Sequence, residues 1–252
     1  VTSGCHARFL VTFDDGPHPN TAAILMQLSH NPIQQNIKAM FFVQTRNPAG
    51  GNSSLGRSLL DRECAEGHVL GLHTGTAGHV SHTALSEHEL DQSLRNGMDD
   101  IRVITRSETM FVRPPYWRFN PDTLTGYSRH GLHMLLSDVK AYDGIDWGLH
   151  VFRQWTFHLQ LEGIRRRLLR RELPTVDGMI PIVVTFHDTN NYTAGHLSEY
   201  FDLLIAESDR VGLQLDSKPF YDCASDITLA ALPRTVHPVE AIEAESQPAE
   251  VS

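Results

Sequence analysis

Apolar residues run from Phe9 to Phe13 and stop at two adjacent carboxylates, Asp14 and Asp15. A short apolar run bounded by charge reads as a buried strand. Gly16-Pro17 then turns the chain, and Pro19-Asn20 lead into a helical pattern from Thr21, with Ile24, Leu25 and Leu28 on one face. The same alternation recurs downstream. Strands are expected over 38–43, 68–73, 110–112, 133–136 and 181–186, and a last one over 212–215. Helices are expected over 54–66, 86–104, 120–129 and 194–209, and through the arginine-rich stretch around 165–171. Ser86 and Glu89 form a capping box at the start of the third. The segment 142–155 resists assignment. From about Leu232 the chain turns to Pro, Glu, Ala and Ser, so residues 1–231 read as one globular domain and 232–252 as a disordered or loosely packed tail.

Strand and helix in regular alternation argue for a parallel sheet closed, or nearly closed, into a (β/α) barrel. In such folds the chemistry sits at the C-terminal ends of the strands. Asp14, Asp15, His73, Arg113, Asp138, His187 and Asp188 all fall at or just past such ends. Five separate strands sharing this feature is hard to reconcile with a purely structural scaffold.

Charge narrows the partners. With 21 Lys+Arg against 30 Asp+Glu, the formal charge of −9 disfavours nucleic acid and anionic membrane surfaces. The run Arg165-Arg166-Arg167 with Arg170 and Arg171 lies beside Leu161, Ile164, Leu168 and Leu169 at helical spacing, which reads as a solvated helix face. No apolar run approaches the ~20 residues needed to span a bilayer. Strand-like sequence begins within ten residues, so the chain reads as a trimmed mature form and export stays open. Cys5, Cys64 and Cys223 lack metal-motif spacing, and a Cys5–Cys223 disulfide is weakly supported. Asn52-Ser53-Ser54 and Asn191-Tyr192-Thr193 are glycosylation sequons.

Asp15, His73 and a further histidine would make a one-carboxylate, two-imidazole set, and three protein ligands with an open position suit a catalytic zinc-like ion. His79 and His82 both follow His73 across a glycine-containing loop. For His18, His30, His130, His133, His150, His158 and His196, a satisfied core or surface role is the better reading.

Thr12-Phe13-Asp14-Asp15-Gly16-Pro17, His73-Thr74, Arg113-Pro114-Pro115-Tyr116 and the strand end from Val184 to Asp188 resemble four of the five motifs of the polysaccharide deacetylase family (carbohydrate esterase family four), in the family's order. The resemblance implies a distorted, incomplete (β/α) barrel that removes acetyl groups from N-acetylglucosamine polymers, or from acetylated xylan. It makes Asp14 the general base, Asp15 and His73 metal ligands, and His187 the general acid. Arg113 would pair with Asp14, Asp138 would orient His187, and the Tyr116 backbone N–H would help hold the oxyanion. The cofactor implied is a divalent metal ion, zinc first, with cobalt, nickel or manganese as alternatives.

Two departures stand out. The family's second motif usually reads His-Ser/Thr, two residues, His, and here the fifth position is Ala77. A loop longer by two residues brings in His79 and keeps the usual distance to Ser86; one longer by five brings in His82. His79 is preferred. The fourth motif is commonly Asp, two residues, Asp-Trp; counted from Asp138, its last two places hold Ala141-Tyr142, and an Asp146-Trp147 pair follows five residues later. Tyr142 and Trp147 are the two candidates for the wall of the acetyl pocket. Phe186 stands where the family usually has leucine and is expected to narrow that pocket, and Trp117 is placed to stack on a sugar ring.

The leading expectation is therefore an exported, metal-dependent N-deacetylase of a carbohydrate polymer, peptidoglycan first, releasing acetate. Chitin or chitooligosaccharide deacetylation and acetylxylan esterase activity are alternatives using the same site. A carbohydrate-binding protein that has lost catalysis is the alternative of another class, supported by the altered second motif.

Overall fold

In the computed structural model, which describes residues 6–143 and 150–236, strands and helices alternate as the hydrophobic pattern predicts. The order is β1 (His6–Asp14), α1 (Thr21–Ser29), β2 (Ala39–Gln44), α2 (Ser54–Ala65), β3 (Val69–Thr74), α3 (Glu87–Thr105), β4 (Phe111–Val112) and α4 (Pro121–Arg129). It continues with β5 (His133–Leu135), β6 (Val139–Lys140), α5 (His150–Leu169), β7 (Met179–His187), α6 (Asn191–Arg210), β8 (Leu215–Phe220), α7 (Ala224–Ala231) and β9 (Thr235–Val236).

The sheet runs β6-β7-β1-β2-β3-β4-β5-β9, parallel throughout except for β9, which lies antiparallel on β5. β8 pairs with the lower half of β1, at Ala7 and Phe9, while β2 takes the upper half from Val11 to Asp14. No pairing joins β6 to β5 or β9 among the described residues, so the curled sheet is an incomplete barrel.

Side-chain alternation divides the core in two. Phe9, Val11 and Phe13 on β1, Phe41 and Val43 on β2, and Ile182, Val184 and Phe186 on β7 point outward, into the layer shared with the helices. Leu10, Met40, Phe42, Phe111, Leu135 and Val183 point inward and meet Ile227, Ala230 and Ala231 of α7, which plugs the barrel from below. Each fully buried Phe here contributes about 1.5–3 kcal/mol. Above this floor the inward face turns polar, with Thr12, Thr185 and Arg113 buried beneath the site.

Regular structure continues past the expected boundary at residue 231. A 3-10 turn at Leu232–Arg234 leads into β9, which covers the free edge of β5. Residues 237–252 of the expected tail lie outside the described residues. α7 was not foreseen, and neither was β6: two residues show no period. Cys64 and Cys223 are free thiols, and Cys5, the partner considered for Cys223, lies outside the described residues. No helix is long and apolar enough to cross a membrane among the described residues.

Candidate active site at the strand ends

The register of β1 against β7 sets Thr12 beside Thr185 and Asp14 beside His187. The two candidate proton-transfer groups therefore occupy neighbouring positions on the same inward face. Asp15 follows at φ 75, a left-handed conformation that turns its carboxylate away from the strand direction. Gly16 is required by contact: a Cβ there would lie 2.1 Å from the Asp188 carboxylate. Asp188 itself is buried behind the turn, where Thr21 Oγ1 donates to it, and burial raises its pKa to about 7. It belongs to the wall of the turn, not to the cleft.

Arg113 is fully buried at the end of β4. Its Nη1 donates to Asp14 Oδ1 at 2.8 Å and to Thr12 Oγ1 at 2.7 Å, and its Nε donates to the Leu135 carbonyl at 2.9 Å. The guanidinium lies 4.1 Å from the Phe42 ring centroid and 5.1 Å from that of Trp117. A buried charge is tolerated only with such partners.

His73, at the end of β3, has Nδ1 2.8 Å from the Arg113 carbonyl. A carbonyl can only accept, so Nδ1 carries the proton and Nε2 presents a lone pair. That lone pair faces Asp15 Oδ1 at 3.1 Å and His79 Nε2 at 3.1 Å, and His79 Nε2 is 3.3 Å from the same oxygen. Three acceptor atoms converging without a donor is unfavourable by itself, and Asp15 Oδ1 is buried with no hydrogen-bond partner. A tetrahedral ion bound at ~2.0–2.1 Å spaces its ligands about 3.3 Å apart. The Asp15, His73, His79 set thus fits a divalent cation. Positive charge is what Asp15 needs: burial, the largest influence, works against its ionisation, and protonated rings facing it, His73 first, then His79 and His187, would bring its pKa down to about 2, a part that a bound cation takes over when His73 and His79 are neutral ligands. Burial lowers the pKa of His79, with Asp15 opposing, which favours the neutral ring that binds metals.

The loop carrying His79 folds back because Gly75 packs directly on α3, where a Cβ would meet the Ser93 carbonyl at 2.1 Å. The Tyr116 ring stacks on His79 with centroids 4.4 Å apart, and its hydroxyl donates to the His79 carbonyl at 2.8 Å. His82 goes elsewhere. It is buried with Nδ1 2.7 Å from the Tyr127 hydroxyl, and burial drops its pKa to about 3.

His187 has a carboxylate partner, and it is Asp143. Asp143 Oδ1 accepts from His187 Nδ1 at 2.7 Å, while Oδ2 accepts from the His187 backbone N–H at 2.7 Å and from Thr193 Oγ1 at 2.8 Å. Burial works against charge on the ring, but Asp143, then Asp14 and Asp15, outweigh it and raise the pKa of His187 to about 9. The expectation that Asp138 plays this part is corrected. Asp138 ion-pairs with Arg167 and Arg234 and accepts from the Val183 N–H at 2.9 Å, on the β6 side away from His187. The strand-end rule used elsewhere would have found Asp143, had β6 been visible. Set in the fourth-motif pattern, Asp143 takes the second carboxylate position, and Lys140 stands in the first.

Phe186 is corrected as well. It is fully buried on the outward face among Phe13, Tyr200 and Phe201, because His187 points inward and its neighbour must point out. Trp147 lies outside the described residues, and the Tyr142 side chain is 41% exposed at φ 53. Tyr116 and Trp117 are both left-handed, at φ 59 and 61, and the Tyr116 N–H has no acceptor among the described residues. Asp14, Asp15, His73, His79, Pro114, Tyr116, Trp117 and His187 together line an open cleft of 410 Å³. A larger concavity of 680 Å³ beside Asp138 and Arg167 brings together no comparable set of acid, base and ligand.

The polysaccharide deacetylase family model matches residues 5–135. A chitin deacetylase of Pestalotiopsis sp is 29% identical over 135 residues, 54% of this chain and 43% of that protein. A peptidoglycan-N-acetylglucosamine deacetylase of Bacillus cereus is 28% identical over 142 residues, 56% of this chain and 46% of that protein. These matches span less than half the length of either relative. The solved chitin deacetylase of the fungal pathogen Colletotrichum lindemuthianum superposes with a TM-score of 0.63 at 21% identity, over 88% of this chain and 92% of that one, a likeness of fold.

Proposed function

The chain belongs to the polysaccharide deacetylase family, and from that premise we propose that it hydrolyses the acetamide of N-acetylglucosamine residues in an extracytoplasmic polysaccharide, peptidoglycan first, releasing acetate and leaving a free amine. The observation that carries this reading is the pairing of Asp14 with His187 across β1 and β7, beside the Asp15, His73, His79 set. A binding protein has no use for an acid and a base so placed.

An amide is a poor electrophile with a poor leaving group, so its hydrolysis needs a polarised carbonyl, an activated water and a proton for nitrogen. A divalent cation held by Asp15, His73 and His79, for which the ligand set suits zinc, supplies Lewis-acid polarisation and acidifies water when bound. Asp14, fixed by Arg113, accepts the proton of the attacking water. The Tyr116 N–H donates to the developing oxyanion. His187, charged at neutral pH and oriented by Asp143, gives its proton to the nitrogen as the C–N bond breaks. Trp117 and Tyr116 form the cleft wall against which a sugar ring lies.

The test is metal content by mass spectrometry on wild type, His79→Ala and His82→Ala, with acetate release from an N-acetylglucosamine oligomer in the same samples. Wild type is expected to hold about one ion per chain. His79→Ala should lose metal and activity together, and His82→Ala should keep the metal. A wild type that neither retains supplied metal nor releases acetate overturns the enzyme reading in favour of a carbohydrate-binding protein.

A further inference from the structure

The carboxylates of the cleft each have a place: Asp14 is paired with Arg113, Asp143 with His187, and Asp15 faces His73 and His79 in the cation-binding set. Beside them lies a cation with no carboxylate at ion-pair distance among the described residues, the ammonium of Lys140. Its backbone is held on both edges. β6 pairs Lys140 with Thr185 of β7, and on the open edge Gln160 of α5 accepts from the Lys140 N–H at 2.8 Å and donates to its carbonyl at 3.0 Å. Gln160 thus stands in for a neighbouring strand.

The register places Lys140 in the row of Thr185 and Thr12, one step below Asp14 and His187 on the inward face. Its Nζ reaches the ring of Trp117, 4.2 Å from the centroid, and Trp117 is part of the cleft wall. Lys140 is half-buried; burial pulls its pKa below the ordinary lysine value, Arg113 adds to this and Asp14 opposes it. An aromatic face attracts an ammonium but leaves its charge uncompensated. A neutral acetamido sugar has no group to compensate it. A carboxylate on the same saccharide does.

We propose that Lys140 is a specificity residue of this cleft, receiving a carboxylate borne by the saccharide next to the scissile acetamide, so that the substrate is an acidic acetylated polymer. The inference rests on the deacetylase reading and names its substrate class. In a chain of net charge −9 a local cation is what lets such a polymer approach.

The test uses two matched oligosaccharides of alternating N-acetylglucosamine and N-acetylmuramic acid, one with free lactyl carboxylates and one with these converted to methylamides. The free-acid form should have a kcat/KM about 10- to 100-fold higher in wild type, the range for a charge-assisted contact. Lys140→Gln should bring that ratio to about one, and Lys140→Arg should keep it. A merely structural role would lower both substrates together and leave the ratio. A wild-type ratio near one, or one unmoved in Lys140→Gln, overturns the proposal. Acetate is the other carboxylate source. If Lys140→Gln weakens product inhibition by acetate while the wild-type ratio is one, the ammonium holds product and the proposal falls. If no acetate is released from these compounds or from a neutral N-acetylglucosamine oligomer, the deacetylase reading has failed; calorimetric binding of the two compounds then reads the Lys140 preference by itself.

Discussion

Asp143→Asn removes the charge that holds His187 in its acid form while nearly preserving shape. The difference between an ordinary 6.5 and the value of about 9 for His187 corresponds to about 3 kcal/mol of added preference for the charged ring. Asp143 supplies most of it, because its contact is a direct hydrogen bond and those of Asp14 and Asp15 are charge alone. Burial, which disfavours charge, stays in the variant. The pKa of His187 in metal-free protein is therefore expected to fall by about two in Asp143→Asn, read by NMR titration of the imidazole. In the loaded enzyme the alkaline limb of the kcat/KM profile lies at or below 9, since a bound cation lowers it, and it should move down in the variant. At pH 8 the rate should drop about 10- to 100-fold, because a pKa lower by about two leaves about a tenth to a hundredth of the protonated acid. Stability follows the same sign. With the folded pKa raised, the stabilisation is fully present below pH 6.5 and is lost as pH rises through about 9. A variant titrating within half a unit of wild type, with an unmoved alkaline limb, would refute the assignment of Asp143.

Arg113→Met should destabilise the fold by about 3–5 kcal/mol in urea denaturation, since it strands the buried Asp14 carboxylate and leaves the Leu135 carbonyl without its donor; a loss below about 1 kcal/mol would show that the pair is not load-sharing. Phe186→Ala should cost about 3–5 kcal/mol through the cavity it opens among Phe13, Tyr200 and Phe201. Its kcat/KM per folded molecule should stay within about twofold of wild type, because the removed ring faces the helices. A large rise in KM at intact stability would return Phe186 to the acetyl pocket.

What the chain alone determines is what short-range pattern can encode. The apolar runs at Phe9–Phe13 and 181–186 are long enough to declare themselves as strands, and β1 and β7 follow them closely. With the strands known, the strand-end rule leads to Asp14, Asp15, His73, Arg113 and His187, which do converge on one cleft or, for Arg113, directly beneath it. The side of Phe186 was also readable, since alternation forces it opposite to His187. The tertiary structure decided what depends on partners distant in sequence. His79 and His82 differ by three residues in one loop, and only the packing of Gly75 on α3 and of His82 on Tyr127 sends one to Asp15 and the other into the core. Asp138 and Asp143 flank a strand of two residues that has no period of its own and exists because β7 and Gln160 pair with it. Its position turns Asp138 toward Arg167 and Arg234, Asp143 toward His187, and the Lys140 ammonium toward Trp117. Local spacing cannot encode that choice, because the free energy that makes it comes from contacts tens of residues away.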